Sequence, residues 1–340
     1  MSSDADISAS DAVSTPAPPP SAPRSGRVRQ IVSELRNLGL VLVLIVLFVI
    51  GAITSPEFLT WGNIVTILTL ASVIGVVSIG ATFVITGGGI DLSVGSVLGL
   101  ATVWATTNVT QSFGPWMMVG SAILVGLACG VINGILIAYG DLVPFIVTLA
   151  MLVGAQGLGE LISNRQSQLL TQPALADLMF SRPLGLPFIV YVFVIVAVLG
   201  WLVLNRTTFG ARTTAVGGNR EAARLAGVNV KQHTLALYMV SGLCVGIAAI
   251  MTVAQANTGA STLGTLYELD AIAAVIVGGT LLSGGRGTIV GTVLGVLIFT
   301  TITDLFILNG LDSPIQKLAK GAIIIGAVLL QRRTQGANDT

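Results

Sequence analysis

The residues AVGGNREAARLAGVNV, positions 215–230, set a cluster of charge between two long apolar stretches and so mark where the chain leaves an apolar environment. Between Asn205 and Gln232 lie Arg206, Arg212, Arg220, Arg224 and Lys231, five of the 16 basic residues. The centre of the stretch reads as a short helix with both ends marked. Asn219 suits the N-cap, Glu221 puts a negative charge in the first turn, and Gly227 suits the left-handed position just past the C-terminus. About seven residues remain between those marks, roughly 10 Å of helix. Ala222, Leu225 and Ala226 share one face at i, i+3, i+4 spacing, and Arg220 and Arg224 line another. Such a knob, apolar at the tip and basic at the rim, suits a groove in a soluble partner. The same residues also suit an ordinary loop held on the cytoplasmic side by its positive charge.

Outward from this loop the composition sets the class. Apolar residues make up 53% of the chain and charged residues 9%, against about 25% charged in a soluble domain. That is too little charge to solvate a globular surface of 340 residues. The expectation is an all-α integral membrane protein with the lipid bilayer as its solvent. A net charge of +1 gives no reason to expect a nucleic-acid partner. Segments near the roughly 20 residues needed to cross a bilayer fall at 37–54, 64–86, 93–109, 116–138, 143–163, 187–204, 233–256, 267–283, 287–308 and 314–331. This makes about ten transmembrane helices, some of them interrupted and glycine-rich. Residues 1–36 contain the run DAVSTPAPPPSAP and read as a disordered cytoplasmic tail, followed by an uncleaved signal anchor. Residues 37–331 form the transmembrane domain, with the charged loop at 205–232, and residues 332–340 a cytoplasmic C-terminal tail. With the N-terminus inside, twelve basic residues lie on the cytoplasmic side. Only Arg165, Arg182, Lys317 and Lys320 lie outside, a clear positive-inside bias.

Glycine accounts for 41 of 340 residues. Most suit close helix packing, as Gly126, Gly130 and Gly134 do at i, i+4 spacing. Two clusters, Gly87–Gly89 and Gly278–Gly287, instead interrupt apolar runs, and GGGIDLS weakly resembles GGTLLSGG. Asp91 lies between two apolar runs, where a bare charge costs about 2.5–3.5 kcal/mol. It therefore caps the helix starting near Ser93, or serves a pathway. Glu268 suits a capping box with Thr265, whereas Asp270 lies deeper. Lys320 suits snorkelling to the outer surface, with Asp304 as a possible partner. Asn133 and Gln156 suit bonds between helices or to a polyol. Cys129 and Cys244 read as small core residues, and His233 as an interfacial side chain with no metal role. The chain has no G-x-x-x-x-G-K-[ST], no H-E-x-x-H and no G-x-S-x-G. No catalytic or metal site is expected.

The 215–230 stretch resembles the coupling loop in permease subunits of ribose-type monosaccharide ABC importers, within the branched-chain amino acid/ribose permease superfamily. SPEFLTWGNI at 55–64, GGIDLSVGS at 88–96 and YELDAIAAVIVGGTLLSGGRGTIVGT at 267–292 resemble the same family. The resemblance implies a permease without a cofactor of its own. A cytoplasmic ATPase subunit would bind ATP and Mg, and a periplasmic or lipid-anchored sugar-binding protein would deliver a pentose, hexose or related polyol. It implies a second permease chain as a homodimer in the inner membrane, with both termini cytoplasmic. Gly217, Gly218, Asn219, Glu221, Ala222, Ala223, Arg224, Leu225 and Gly227 would then contact the ATPase. Asp91, Ser93, Asn133, Gln156, Glu268 and Asp270 are the candidates for the pathway or gate. An ion-coupled secondary transporter of a small polar solute, using Asp91 and Asp270, is the alternative.

Overall fold

Local capping chemistry fixes most helix boundaries. A computed structural model describes residues 25–312, 314–322 and 325–326, with side chains from residue 37. Helices α1 (Ser25–Thr54), α2 (Trp61–Thr86), α3 (Val94–Ala105), α4 (Asn108–Ser112), α5 (Pro115–Ala138) and α6 (Pro144–Ser163) come first. They are followed by α7 (Pro173–Phe180), α8 (Phe188–Arg206), α9 (Thr208–Gly218), α10 (Arg220–Leu225), α11 (Val230–Ala256), α12 (Tyr267–Val277) and α13 (Ile289–Leu308). Residues 314–322 are again helical. Thr60, Thr107, Thr207, Asn219, Asn229 and Thr288 each accept a bond from a backbone amide in the first turn of the helix that follows. Pro115, Pro144 and Pro173 open their helices, where a missing amide costs nothing. Two short strands, β1 (Gln168–Leu169) and β2 (Thr258–Gly259), pair antiparallel.

Among the described residues, seven helices are long and apolar enough to cross a membrane: residues Asn37–Thr54 of α1, and α2, α5, α6, α8, α11 and α13. The segments expected at 93–109 and 267–283 differ. They contain α3 and α12, of 12 and 11 residues. At about 1.5 Å per residue neither alone spans a hydrocarbon core of about 30 Å. Their ends explain the shortening. Helix α3 stops where the Thr106 amide bonds Thr102 and Val103 and Thr107 caps α4. Helix α12 starts only after Leu266, which holds a left-handed φ of 69°, and stops at Gly278–Gly279. The segment expected at 314–331 lies partly outside the described residues, and the C-terminal tail and residues 1–24 lie wholly outside them.

From residue 36 onward the described residues form one unit, and its centre is the pair α2 and α11, each with 72% of its apolar window buried. Helix α11 packs on α5 along a seam of small residues. A Cβ at Gly126 would strike the Gly242 carbonyl, and one at Gly130 the Tyr238 carbonyl, so these backbones approach as only glycine permits. Cys129 and Cys244 are buried in this core.

Candidate coupling element and pathway residues

Helix α10 is a six-residue knob held at both ends. The Asn219 side chain accepts the Ala222 amide at 2.9 Å. At the other end the Val228 amide bonds the Ala223 carbonyl and the Gly227 amide that of Arg224, each at 3.0 Å. Gly227 carries a φ of +85°, which closes the helix in a Schellman-type turn. Ala223 faces inward and is 4% exposed. Ala222, Leu225 and Ala226 face outward, and Leu225 is 76% exposed although it is a large apolar side chain. The basic rim is weaker than its sequence implies. Arg224 donates to both Glu221 oxygens, at 2.6 and 3.0 Å, and spends its charge there. That hydrogen bond and the guanidinium charge hold the Glu221 carboxyl below the usual carboxylate range.

The knob is joined to the helices behind it through backbone. A Cβ at Gly217 would strike the Thr86 carbonyl, at the end of α2, and lie 2.5 Å from the Gly285 amide. That amide donates to the same Thr86 carbonyl at 2.8 Å. Gly88 and Gly284 meet beside them. The two glycine clusters of the sequence therefore converge on Gly217 and Gly218, a meeting that no local pattern announces. His233 also differs from its expected interfacial place: it is buried at the junction of α9 and α11, bonded to Thr213 at 2.9 Å.

Asp91 accepts the Ser93 amide at 3.0 Å and the Ser93 hydroxyl at 2.6 Å, an Asx-type turn leading into α3. Its other oxygen accepts the Ser241 hydroxyl of α11 at 2.9 Å, and the Asn133 amide of α5 donates to Ser93 at 3.0 Å. Asp91, Ser93, Asn133 and Ser241 thus form one buried polar network joining α3, α5 and α11. Gln156 stands apart, exposed on α6 and 3.4 Å from Glu160 of the same helix.

Glu268 does not form the expected capping box. The N-cap of α12 is Leu266, one residue late for Thr265, whose hydroxyl bonds the Thr262 carbonyl instead. The Glu268 carboxylate lies against Gly95 of α3. Asp270, two residues on and so on another face, pairs with Lys320 at 2.9 Å. Lys320 therefore neither snorkels nor meets Asp304, which accepts the Asn63 amide at 2.8 Å.

Long apolar helices around a buried polar network, with an exposed capped knob, define a multi-pass α-helical membrane protein. Residues 63–330 match the family model for the branched-chain amino acid transport system / permease component, and the chain belongs to that family. It is 38% identical over 298 residues to the ribose import permease protein RbsC of Escherichia coli, covering 86% of this chain and 93% of the relative. It is 34% identical over 320 residues to the L-arabinose ABC transporter permease protein AraH of Azospirillum brasilense, covering 93% and 94%. Against the galactose/methyl galactoside import permease protein MglC of Escherichia coli it is 35% identical over 323 residues, covering 89% and 96%.

Proposed function

We propose that this chain is the permease of an ATP-driven importer that carries a monosaccharide (a pentose, hexose or related polyol) across the inner membrane. A separate cytoplasmic ATPase subunit binds ATP and Mg, and a periplasmic or lipid-anchored sugar-binding protein supplies the sugar. Family membership supports the reading, as do relatives named for ribose, L-arabinose and galactose. The observation that carries the mechanism is the outward Ala222–Leu225 face of α10 on a helix anchored at Ala223. An exposed leucine held rigidly is suited to fill a pocket on another protein.

In this reading Gly217, Gly218, Asn219, Glu221, Ala222, Ala223, Arg224, Leu225 and Gly227 receive the motion of the ATPase. Two copies form a homodimer, and both termini face the cytoplasm. Ten segments cross, with α3 and α12 completed by the extended residues beside them, since such backbone survives at membrane depth when protein covers it. Asp91, Ser93, Asn133, Glu268 and Asp270 belong to the pathway or its supports, and Gln156 joins them where the second copy covers α6. An ion-coupled carrier is less well supported, because Asp91 accepts three bonds and Asp270 is paired with Lys320.

Gly227→Val and Leu225→Asp test the assignment. Valine resists positive φ and redirects the end of the helix, while aspartate puts an unpaired charge in the socket. Both variants should reach the membrane at parental abundance, yet lose stimulation of the ATPase by loaded binding protein. Parental transport and ATPase capture by both would make the segment only a charged loop.

A further inference from the structure

A second polar feature lies away from the coupling element, in the cavity closed by α2, α11, α12, α13 and the helical residues 314–322. It holds about 170 Å³, is partly open, and is lined by Leu70, Ile74, Gln255, Tyr267, Asp270, Phe299, Thr300, Thr303 and Lys320. That space exceeds the roughly 150 Å³ of an engineered apolar cavity that takes up benzene, so it has room for one six-membered ring. The cavity lies toward one end of the helices, with Gln255 next to last in α11 and Tyr267 first in α12. Thr303 is five residues inside the end of α13 and Leu70 nine residues inside the start of α2, or about 7 and 13 Å along helices that cross.

Several polar groups of the cavity have no protein partner among the described residues. Among the described residues, Gln255 and the Tyr267 hydroxyl make no side-chain hydrogen bond, although both are half-buried. Lys320 uses one of its three donors, on one oxygen of Asp270, and the other Asp270 oxygen is free of protein donors among the described residues. The cavity thus offers unused donors and acceptors in roughly equal measure beside apolar walls from Leu70, Ile74 and Phe299. A sugar matches this pattern, since each hydroxyl both donates and accepts while its C–H faces pack on apolar surface.

We propose that this cavity is a binding station for the monosaccharide in transit, with Gln255, Tyr267, Asp270 and Lys320 bonding its hydroxyls. The assignment rests on the sugar-import reading. It is tested with the permease reconstituted in proteoliposomes with its ATPase and binding protein, using radiolabelled ribose, L-arabinose and galactose. Gln255→Leu and Tyr267→Phe should each cut uptake about tenfold, the loss from one hydrogen bond worth that factor, and more together. Stimulation of the ATPase by loaded binding protein should stay parental, which also reports correct folding. In parallel, Thr303→Cys in the purified chain should react with a thiol reagent more slowly when one of the three sugars is present, and at an unchanged rate in glycine betaine of equal osmolarity. Parental uptake by the double variant, or thiol reaction unaffected by all three sugars, overturns the site while leaving sugar import standing. A parental complex that imports none of the three, with the cysteine unprotected, overturns both.

Discussion

Replacing Lys320 with methionine separates a paired lysine from a snorkelling one. The ammonium lies 2.9 Å from Asp270, and the two side chains are only 24% and 21% exposed. Removing one partner of a fully buried pair costs about 3–5 kcal/mol, because the remaining charge keeps its desolvation penalty without its attraction. Here solvent still reaches about a fifth of each group, so the expected loss is smaller, about 2–3 kcal/mol. Methionine keeps the length and apolar packing of the lysine stem, so little of the loss comes from a cavity. Adding Asp270→Asn removes the stranded charge and should restore most of the stability. The pair then shows a coupling energy of about 2 kcal/mol in a double-mutant cycle. The assay is the temperature at which the detergent-purified chain loses its monodisperse gel-filtration peak. A lysine reaching to the membrane surface would make Lys320→Met silent. A Lys320→Met chain as stable as the parent, or a double variant no better than the single, would refute the pairing argument.

Two further predictions follow from the glycine crossing and the buried aspartate. Gly217→Ala should reduce both membrane abundance and transport, since its methyl lands on the Thr86 carbonyl and crowds the Gly285 amide; overpacking of this kind costs about 1–3 kcal/mol. Gly218→Ala is the internal comparison for packing, because its Cβ meets nothing closer than the Gly285 Cα at 3.9 Å, and its abundance on an immunoblot should be near parental. Asp91→Ala strands the Ser93 amide and two buried hydroxyls, at about 1–3 kcal/mol for each group left unpaired. Asp91→Asn keeps the shape and should preserve both abundance and uptake; loss of uptake with normal abundance would instead give Asp91 a charge-dependent role.

What was legible in the sequence was what is local. Asn219 and Gly227 mark the ends of α10 through bonds spanning three to five residues, so residue type and spacing suffice. The turn from Asp91 to Ser93 is equally local, but its anchor on Ser241 lies 150 residues away. Hydropathy located the seven helices long and apolar enough to cross a membrane, because length and composition are their signal. It overextended α3 and α12, whose ends depend on backbone geometry. Leu266 takes a left-handed φ without being glycine or asparagine, and so gives no turn signal in the sequence. The same applies to Lys320: position in a span suggests snorkelling, and only the packing of 314–322 against α12 brings Asp270 within reach.

If α10 receives the motion of the ATPase as proposed, the glycine crossing gives a physical reason why a knob of six residues would act on the long helices behind it. Side chains at a contact absorb displacement by changing rotamer, whereas backbone pressed on backbone does not. At Gly217 the contact is backbone against the end of α2 and the Gly285 turn, tied by the Gly285–Thr86 bond. From Thr86 the chain reaches Asp91 within five residues, and Asp91 is fastened to α11 through Ser241 and to α5 through Ser93 and Asn133. From Gly285 the chain leads back through Gly278 to α12, which carries Asp270. On the proposed reading, a push on Leu225 reaches both routes at once. Each route has glycine where the backbones cross and a polar bond where it meets the helices, buried at Asp91 and partly buried at Asp270. This arrangement suits a discrete shift between two packed states better than gradual deformation, because close-packed interiors resist the latter.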